Sequence, residues 1–171
     1  MHGDSWLNFL AAKRKDMDLS KLANIPIFED LNEQQSQVLA GVMREKVVAP
    51  GTAVFSQGQR AFSCFFIIDG TVHVHVQNED TKQSKQVASL GKGEMVGELA
   101  LVDGGLRSAS CKAGSEQVIL AELQRDDFEH ILNAGNSFAF RLLDTISIGL
   151  VSRLRDTSKK LMHIVNADNN A

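Results

Sequence analysis

Residues 46 to 123 form a series of short segments in which apolar and polar side chains alternate, separated by turns that contain glycine. Thr71 to Gln77 shows the pattern most clearly, because Val72, Val74 and Val76 would all face the core from one side of an extended chain. Segments in which apolar residues recur at helical spacing lie on both sides of this region. The pattern predicts an α+β fold, with an antiparallel β jelly roll or barrel, N-terminal helices, a short helix within the roll and a long C-terminal helix.

Residues 91 to 110 combine the groups that bind a phosphate. Gly97 lets the backbone approach a ligand closely, and the residues after it offer N–H groups from the first turn of a short helix. Arg107 adds a delocalised cation that can donate two parallel hydrogen bonds. Glu98 would repel a phosphate, so we expect it to accept a hydrogen bond from a neutral donor such as a sugar hydroxyl. The segment therefore predicts a ribose-phosphate ligand.

The string Gly97-Glu98-Leu99-Ala100-Leu101, followed after a turn by Arg107-Ser108-Ala109, resembles the phosphate-binding cassette of the cyclic nucleotide-binding domain family. Catabolite activator proteins, cyclic-nucleotide-dependent kinases and gated channels share that module. The resemblance implies a cyclic-nucleotide sensor in which Glu98 binds the ribose hydroxyl and Arg107 pairs with the phosphate. The cassette residues that it implies as ligand contacts are Gly97, Glu98, Leu99, Ala100, Arg107 and Ser108.

Recognition of the base is predicted outside the cassette. In catabolite activator proteins a Thr-Ser pair on the long helix reaches the adenine amino group, and the segment around Thr157 and Ser158 resembles that helix. The helix before the pair is about one turn longer here, and the alternative is that both are surface hydroxyls. Val74 and Val87 are expected to touch the base from the roll. cAMP is the predicted ligand, and cGMP is less favoured.

A long helix is predicted over residues 137–165, in which five of seven positions at alternating intervals of four and three are apolar. Such a seam is typical of paired helices and predicts a homodimer; the alternative is that the stripe packs on the chain's own roll. Ligand binding is expected to move this helix relative to the roll. The apolar residues of the predicted seam are Leu143, Leu150, Leu154, Leu161 and Ile164.

The chain divides into four predicted parts: an N-terminal helical extension (1–18), the roll with its flanking helices (19–132), the long helix (137–165) and a tail (166–171). Catabolite activators continue into a DNA-binding helix-turn-helix, whereas this sequence stops before one. We therefore expect the output to lie in a partner or in a further effector domain, such as a cyclic-dinucleotide phosphodiesterase or the DNA-binding part of a transcription regulator.

Composition narrows the choice of partners. The 171 residues carry a net charge of -3, which gives no overall basic surface for nucleic acid. No apolar run reaches the length of a membrane span and the N-terminus lacks the order of a signal peptide, so a cytoplasmic location is predicted. Cys64 and Cys111 lie in apolar stretches and are expected to be reduced, structural thiols.

Two rival functions come from other classes. His73 and His75 project from the same side of a strand and, with Glu79, could hold a metal in a cupin-like enzyme. The next histidine after His75 is His130, in a helical stretch, so no metal site is predicted. Neither a nucleophile triad nor a P-loop is present, and the chain as given is not predicted to be an enzyme. The other rival is an interaction module that keeps the roll and binds no nucleotide.

Overall fold

The computed structural model describes residues 17–22 and 25–168, without the side chains of Leu19, Lys160, Leu161 and residues 163–168. The helices are α1 Leu19–Leu22, α2 Glu33–Val42, α3 Leu99–Val102, α4 Arg125–Asn133 and α5 Ser137–Asp168, with a 3₁₀ turn at Pro26–Phe28. The strands are β1 Met43–Val48, β2 Ala53–Phe55, β3 Ser63–Asp69, β4 Val72–Gln77, β5 Ser84–Leu90, β6 Met95–Val96, β7 Ser110–Ala113 and β8 Val118–Gln124.

The strands form two four-stranded antiparallel sheets, in the orders β1-β8-β3-β6 and β2-β7-β4-β5. One apolar cluster fills the space between the two sheets, and a second lies between the first sheet and the helices. The short helix α3 interrupts the roll between β6 and β7, as the sequence indicates. The predicted antiparallel jelly roll with flanking helices, an α+β fold, is confirmed.

Local sequence signals account for the helix ends. Asn32 and Gln35 form a capping box at the start of α2, in which each side chain accepts a hydrogen bond from the other's backbone N–H. Gly135 follows α4 with a φ of 73° and allows the chain to turn. The Asn136 side chain then accepts from the Phe138 amide at 2.9 Å, which satisfies one of the free N–H groups at the start of α5.

The first third of α5 is anchored in the helical core. Phe138, Leu142 and Ile146 are buried, and the Phe138 ring lies 5.2 Å from the ring of Phe28, which in turn lies 5.1 Å from Phe66 on β3. These aromatic contacts and the area buried around them hold the beginning of the helix against the first sheet.

The predicted inward orientation of Val76 is wrong. Val72 is fully buried and Val74 packs against the core, but Val76 is 39% exposed. The pairing of β4 with β5 shifts between Val74 and His75, where Val87 is left as an extra residue on β5. Beyond His75, β4 has also passed the end of its pairing with β7, so Val76 loses the cover of that strand.

Parts of the predicted organisation lie outside the described residues. They include nearly all of the N-terminal extension (residues 1–16) and the last three residues of the tail, while α5 continues to Asp168 instead of ending at residue 165. Within the described ranges, none of the helices has the length and apolarity that crossing a bilayer requires. A cytoplasmic location stays a prediction.

Candidate functional site

A cavity of about 310 Å³ lies between the second sheet, the segment from β6 to β7, and helix α5. Its walls are largely apolar, with a few polar groups contributed by the cassette and by α5. Eight of the ten residues predicted as ligand contacts line it: Val74, Val87, Gly97, Glu98, Leu99, Ala100, Arg107 and Ser108. The fold therefore brings the cassette and the two valines to one place, and their contact with a ligand stays a prediction.

Gly97 has the conformation and the space that only glycine provides. Its φ is 74°, and a Cβ at this position would lie 2.4 Å from Nη1 of Arg107 and 3.2 Å from the Phe55 ring. The missing side chain lets the Arg107 Nη1 donate a hydrogen bond of 3.0 Å to the Gly97 carbonyl oxygen. The glycine thus positions the arginine as well as opening the backbone.

Arg107 is a buried cation, only 7% exposed. Its guanidinium carbon lies 4.0 Å from the centre of the Phe55 ring and 5.8 Å from that of Phe65. No carboxylate pairs with Arg107 among the described residues, and burial lowers the pKa of its guanidinium. A buried charge without a directly bonded counter-ion is costly, so this site favours an anion that enters the cavity.

Glu98 is buried and hydrogen-bonded to a residue that the sequence did not single out. Its Oε1 accepts from Nη1 of Arg153, which comes from α5, 55 residues further along the chain. Glu98 directly precedes α3, and the carbonyl oxygen of Glu98 accepts from the Leu101 amide at 3.0 Å. Both Glu98 and its partner Arg153 line the cavity.

The cassette helix α3 is supported by helix α4. Arg125, the first residue of α4, donates from Nη1 to the Ala100 carbonyl oxygen at 3.3 Å, and its Nε pairs with Glu129 at 2.6 Å. The Ala100 amide donates to the Gly97 carbonyl oxygen at 3.2 Å. One of the two amides predicted to bind phosphate is therefore used within the cassette turn in this structure.

Thr157 and Ser158 do not line the cavity in this structure. Both are exposed, and their hydroxyls donate to the carbonyl oxygens of Arg153 at 2.8 Å and Leu154 at 3.0 Å, one helical turn earlier. Of the described side chains of α5, Arg153 lines the cavity. A role for the hydroxyl pair in base recognition remains a prediction.

The predicted seam on α5 divides into two parts. Leu143 and Leu150 are half-buried against the chain's own helical core, which is the alternative that the sequence left open. Leu154 is 67% exposed. The side chains of Leu161 and Ile164 lie outside the described residues.

The histidine pair on β4 is not part of the cavity. The His73 and His75 rings stand perpendicular with centres 6.5 Å apart, and Nδ1 of His73 lies 3.1 Å from the Ser89 hydroxyl. Glu79 is exposed. In the part of the chain that the structure describes, no group of three or more His, Cys, Asp or Glu residues could hold a metal ion.

Both cysteines are free and buried, as predicted. Burial raises the pKa of the Cys64 thiol well above its ordinary value and that of Cys111 to about 12. The nearby Arg107 guanidinium acts in the opposite direction on both thiols, but burial dominates. Cys111 lines the cavity as a neutral, weakly polar wall residue.

The sequence matches the family model described as the cyclic nucleotide-binding domain over residues 45–134. It is 31% identical over 141 residues to the cAMP-dependent protein kinase type II regulatory subunit of Drosophila melanogaster, covering 82% of this chain and 37% of that protein. It is 32% identical over 114 residues to a cGMP-dependent protein kinase of the same organism, covering 66% of this chain and 12% of that protein. The matches thus span between 12% and 37% of the length of these curated relatives.

Among solved structures, the chain is similar to the catabolite activator protein of Thermus thermophilus, with a TM-score of 0.68 and 26% identity. The match covers 80% of this chain and 61% of that one. The matched residues 45–134 run from within β1 to just beyond α4 and therefore include the whole cassette.

Proposed function

The chain belongs to the cyclic nucleotide-binding domain family, and on that premise we propose that it is a cAMP sensor whose ligand occupies the cavity beside Gly97, Glu98 and Arg107. The family assignment makes the matched region a ligand-binding regulatory module rather than a catalytic one. The choice of cAMP, the roles of single residues and the transmission of the signal are the proposal.

The observation that carries the proposal is the buried, unpaired cation Arg107. A cyclic phosphate brings one negative charge to a guanidinium that is stacked on Phe55 and bonded to a carbonyl oxygen, with further N–H groups available to the ligand. Ser108 beside it and the amide of Leu99 can add donors. Binding the anion offsets the cost of burying the charge.

The remaining walls suit the rest of the ligand. The Glu98 carboxylate can accept a hydrogen bond from the 2′-hydroxyl of the ribose. Val74 and Val87 offer apolar surface to a purine. Both adenine and guanine would fit such surface, and the relatives include cAMP- and cGMP-dependent kinases. The preference for cAMP rests on Thr157 and Ser158, which can reach the adenine amino group if α5 moves towards the cavity.

Signal transmission is proposed to run through α5. Its beginning is fixed by the buried side chains described above, whereas residues 151–159 are all exposed. A ligand that contacts α5 more favourably in one position than in another shifts the helix between them. The exposed Leu154, with Leu161 and Ile164, is proposed to join two copies of the chain, and the output is proposed to pass to a partner or to a further effector domain.

A thermal-shift comparison of purified protein with cAMP, cGMP and divalent metal ions tests this function. We expect a higher Tm with either nucleotide, larger with cAMP at equal concentration, and none with metal ions alone. A shift with metal ions alone would favour the metal-dependent enzyme. An intact fold that no cyclic nucleotide stabilises would contradict the proposal and favour a nucleotide-free interaction module.

A further inference from the structure

We propose that Arg153 sets the affinity of the site by competing with the ribose for Glu98, so that cyclic nucleotide binding displaces Arg153 and frees the second half of α5 to move from its present position towards the ligand. The inference rests on the proposed function and adds a residue that the cassette motif does not contain. It follows from three observations: the position of the ion pair, the contacts of the helix around it and the unequal burial of its two members.

The Glu98–Arg153 pair lies on a wall shared by two spaces. One is the cavity beside the cassette, and the other is a second cavity of about 260 Å³ between α5 and residues 93–95. Both residues line both cavities. The α5 residues beside the second cavity, such as Gly149, leave open space between helix and roll. The ion pair therefore bridges a gap that side-chain packing does not fill.

Among the described side chains of α5, Arg153 makes the last attachment to the roll. Ile146 is buried and Leu150 is half-buried against the core, but every residue from 151 to 159 is exposed. In the described part of the chain, Arg153 makes the only hydrogen bond or ion pair that joins residues 151–159 to the roll. Losing it frees this part of the helix.

The two members of the pair differ in what they lose on separation. Glu98 is buried, so its carboxylate needs a donor at all times, and the ribose hydroxyl can replace Arg153 in that role. The Arg153 side chain is 61% exposed and returns to water at little cost. A neutral hydroxyl is a weaker donor than a guanidinium, so the exchange opposes binding and must be offset by the contact between phosphate and Arg107.

A site that is occupied by its own side chain binds more weakly than the same site when empty. Removing Arg153 should therefore tighten binding of the nucleotide. It should also loosen α5 when no nucleotide is bound. If Arg153 instead held the ligand, its removal would weaken binding. The two roles predict affinity changes of opposite sign.

The experiment compares wild type, Arg153→Ala and the control Arg155→Ala, which removes an equally charged, exposed side chain two residues further along the same helix. Isothermal titration with cAMP measures affinity, and hydrogen-deuterium exchange of residues 147–159 measures release of the helix. For Arg153→Ala we expect affinity to rise about tenfold and exchange without ligand to be faster than that of wild type without ligand. The control should behave as wild type in both assays.

Arg153→Met, which keeps a long unbranched side chain but neither the charge nor the N–H donors, should give the same result as Arg153→Ala. Unchanged or weaker cAMP binding by both Arg153 variants, or unchanged exchange of α5, overturns the competition while the proposed function stands if wild type binds. If wild type binds neither cAMP nor cGMP, the proposed function fails, and the competition fails with it. The wild-type titration therefore separates the two failures.

Discussion

The guanidinium of Arg107 lies 4.0 Å from the centre of the Phe55 ring, so the cation at the bottom of the cavity is held by an aromatic face instead of a carboxylate. A carboxylate partner would compete with a phosphate for the same N–H groups, whereas the ring covers one face of the guanidinium and leaves those groups free. Phe55 comes from β2, and Arg107 follows the cassette helix α3. The anion site therefore depends on the packing of two separate elements.

Gly97→Ala should weaken cAMP binding by about tenfold or more, because the added Cβ would lie 2.4 Å from the Arg107 guanidinium and the backbone conformation disfavours alanine. Equilibrium titration of the variant measures the loss.

Gly91→Ala is the matched control, because it lies in the same segment and a Cβ there meets nothing within 4 Å. It should bind as wild type does. Equal affinities for Gly97→Ala and wild type would show that the approach of Arg107 to the Gly97 carbonyl does not matter for the ligand.

The position of this glycine was predictable because its chemistry is local. Gly97, Glu98 and Arg107 lie within eleven residues, and the donors and the acid occur in an order that suits a sugar phosphate. The alternation of the strands likewise predicts the roll, because a period of two is a property of the extended chain itself. The family match covers this same region.

What the sequence could not supply comes from distant elements. Nothing in the residues around Phe55 indicates that its ring contacts Arg107. Arg153 reaches Glu98 only because α5 packs beside the cassette in the folded chain. The exposure of Val76 depends on a shift in the register of β4 with β5, which the residues of β4 do not predict. Side-chain partners across different elements depend on tertiary packing, which local patterns do not encode.

The free energy of unfolding should fall as the pH rises above about 9, the ordinary thiol pKa. Both thiols have raised pKa values in the folded chain. Their contribution to the free energy of unfolding is therefore fully present below pH 9 and is lost as the pH rises towards 12 and beyond. At pH 10, ionisation of each thiol in the unfolded chain should lower the free energy of unfolding by about 1.4 kcal/mol relative to pH 7. Urea unfolding between pH 7 and pH 10 measures the slope, and the sequence has no tyrosine whose ionisation would overlap.

The control is the Cys64→Ala, Cys111→Ala double variant. Its stability at pH 7 changes through packing alone, but its dependence on pH above 9 should be shallower than that of wild type. The same slope in both proteins would contradict the assignment of the effect to the buried thiols.

Thr157→Ala combined with Ser158→Ala should reduce the preference for cAMP over cGMP by about tenfold, if these hydroxyls meet the adenine amino group in the bound state. Among the described residues both hydroxyls bond only to carbonyl oxygens of their own helix, so the thermal stability without added nucleotide should stay close to that of wild type. Competition titrations with the two nucleotides give the ratio. An unchanged ratio would place the base preference elsewhere, in the walls near Val74 and Val87.

Arg107 is proposed to be the phosphate anchor, and calorimetric titration of cAMP into wild type, Arg107→Ala and Arg60→Ala tests this role. Arg60 is exposed and does not line the cavity, so its removal controls for the change in net charge. We expect Arg60→Ala to bind as wild type does and Arg107→Ala to lose about 2 to 5 kcal/mol of binding free energy. Equal cAMP affinity in wild type and a folded Arg107→Ala variant would contradict the account.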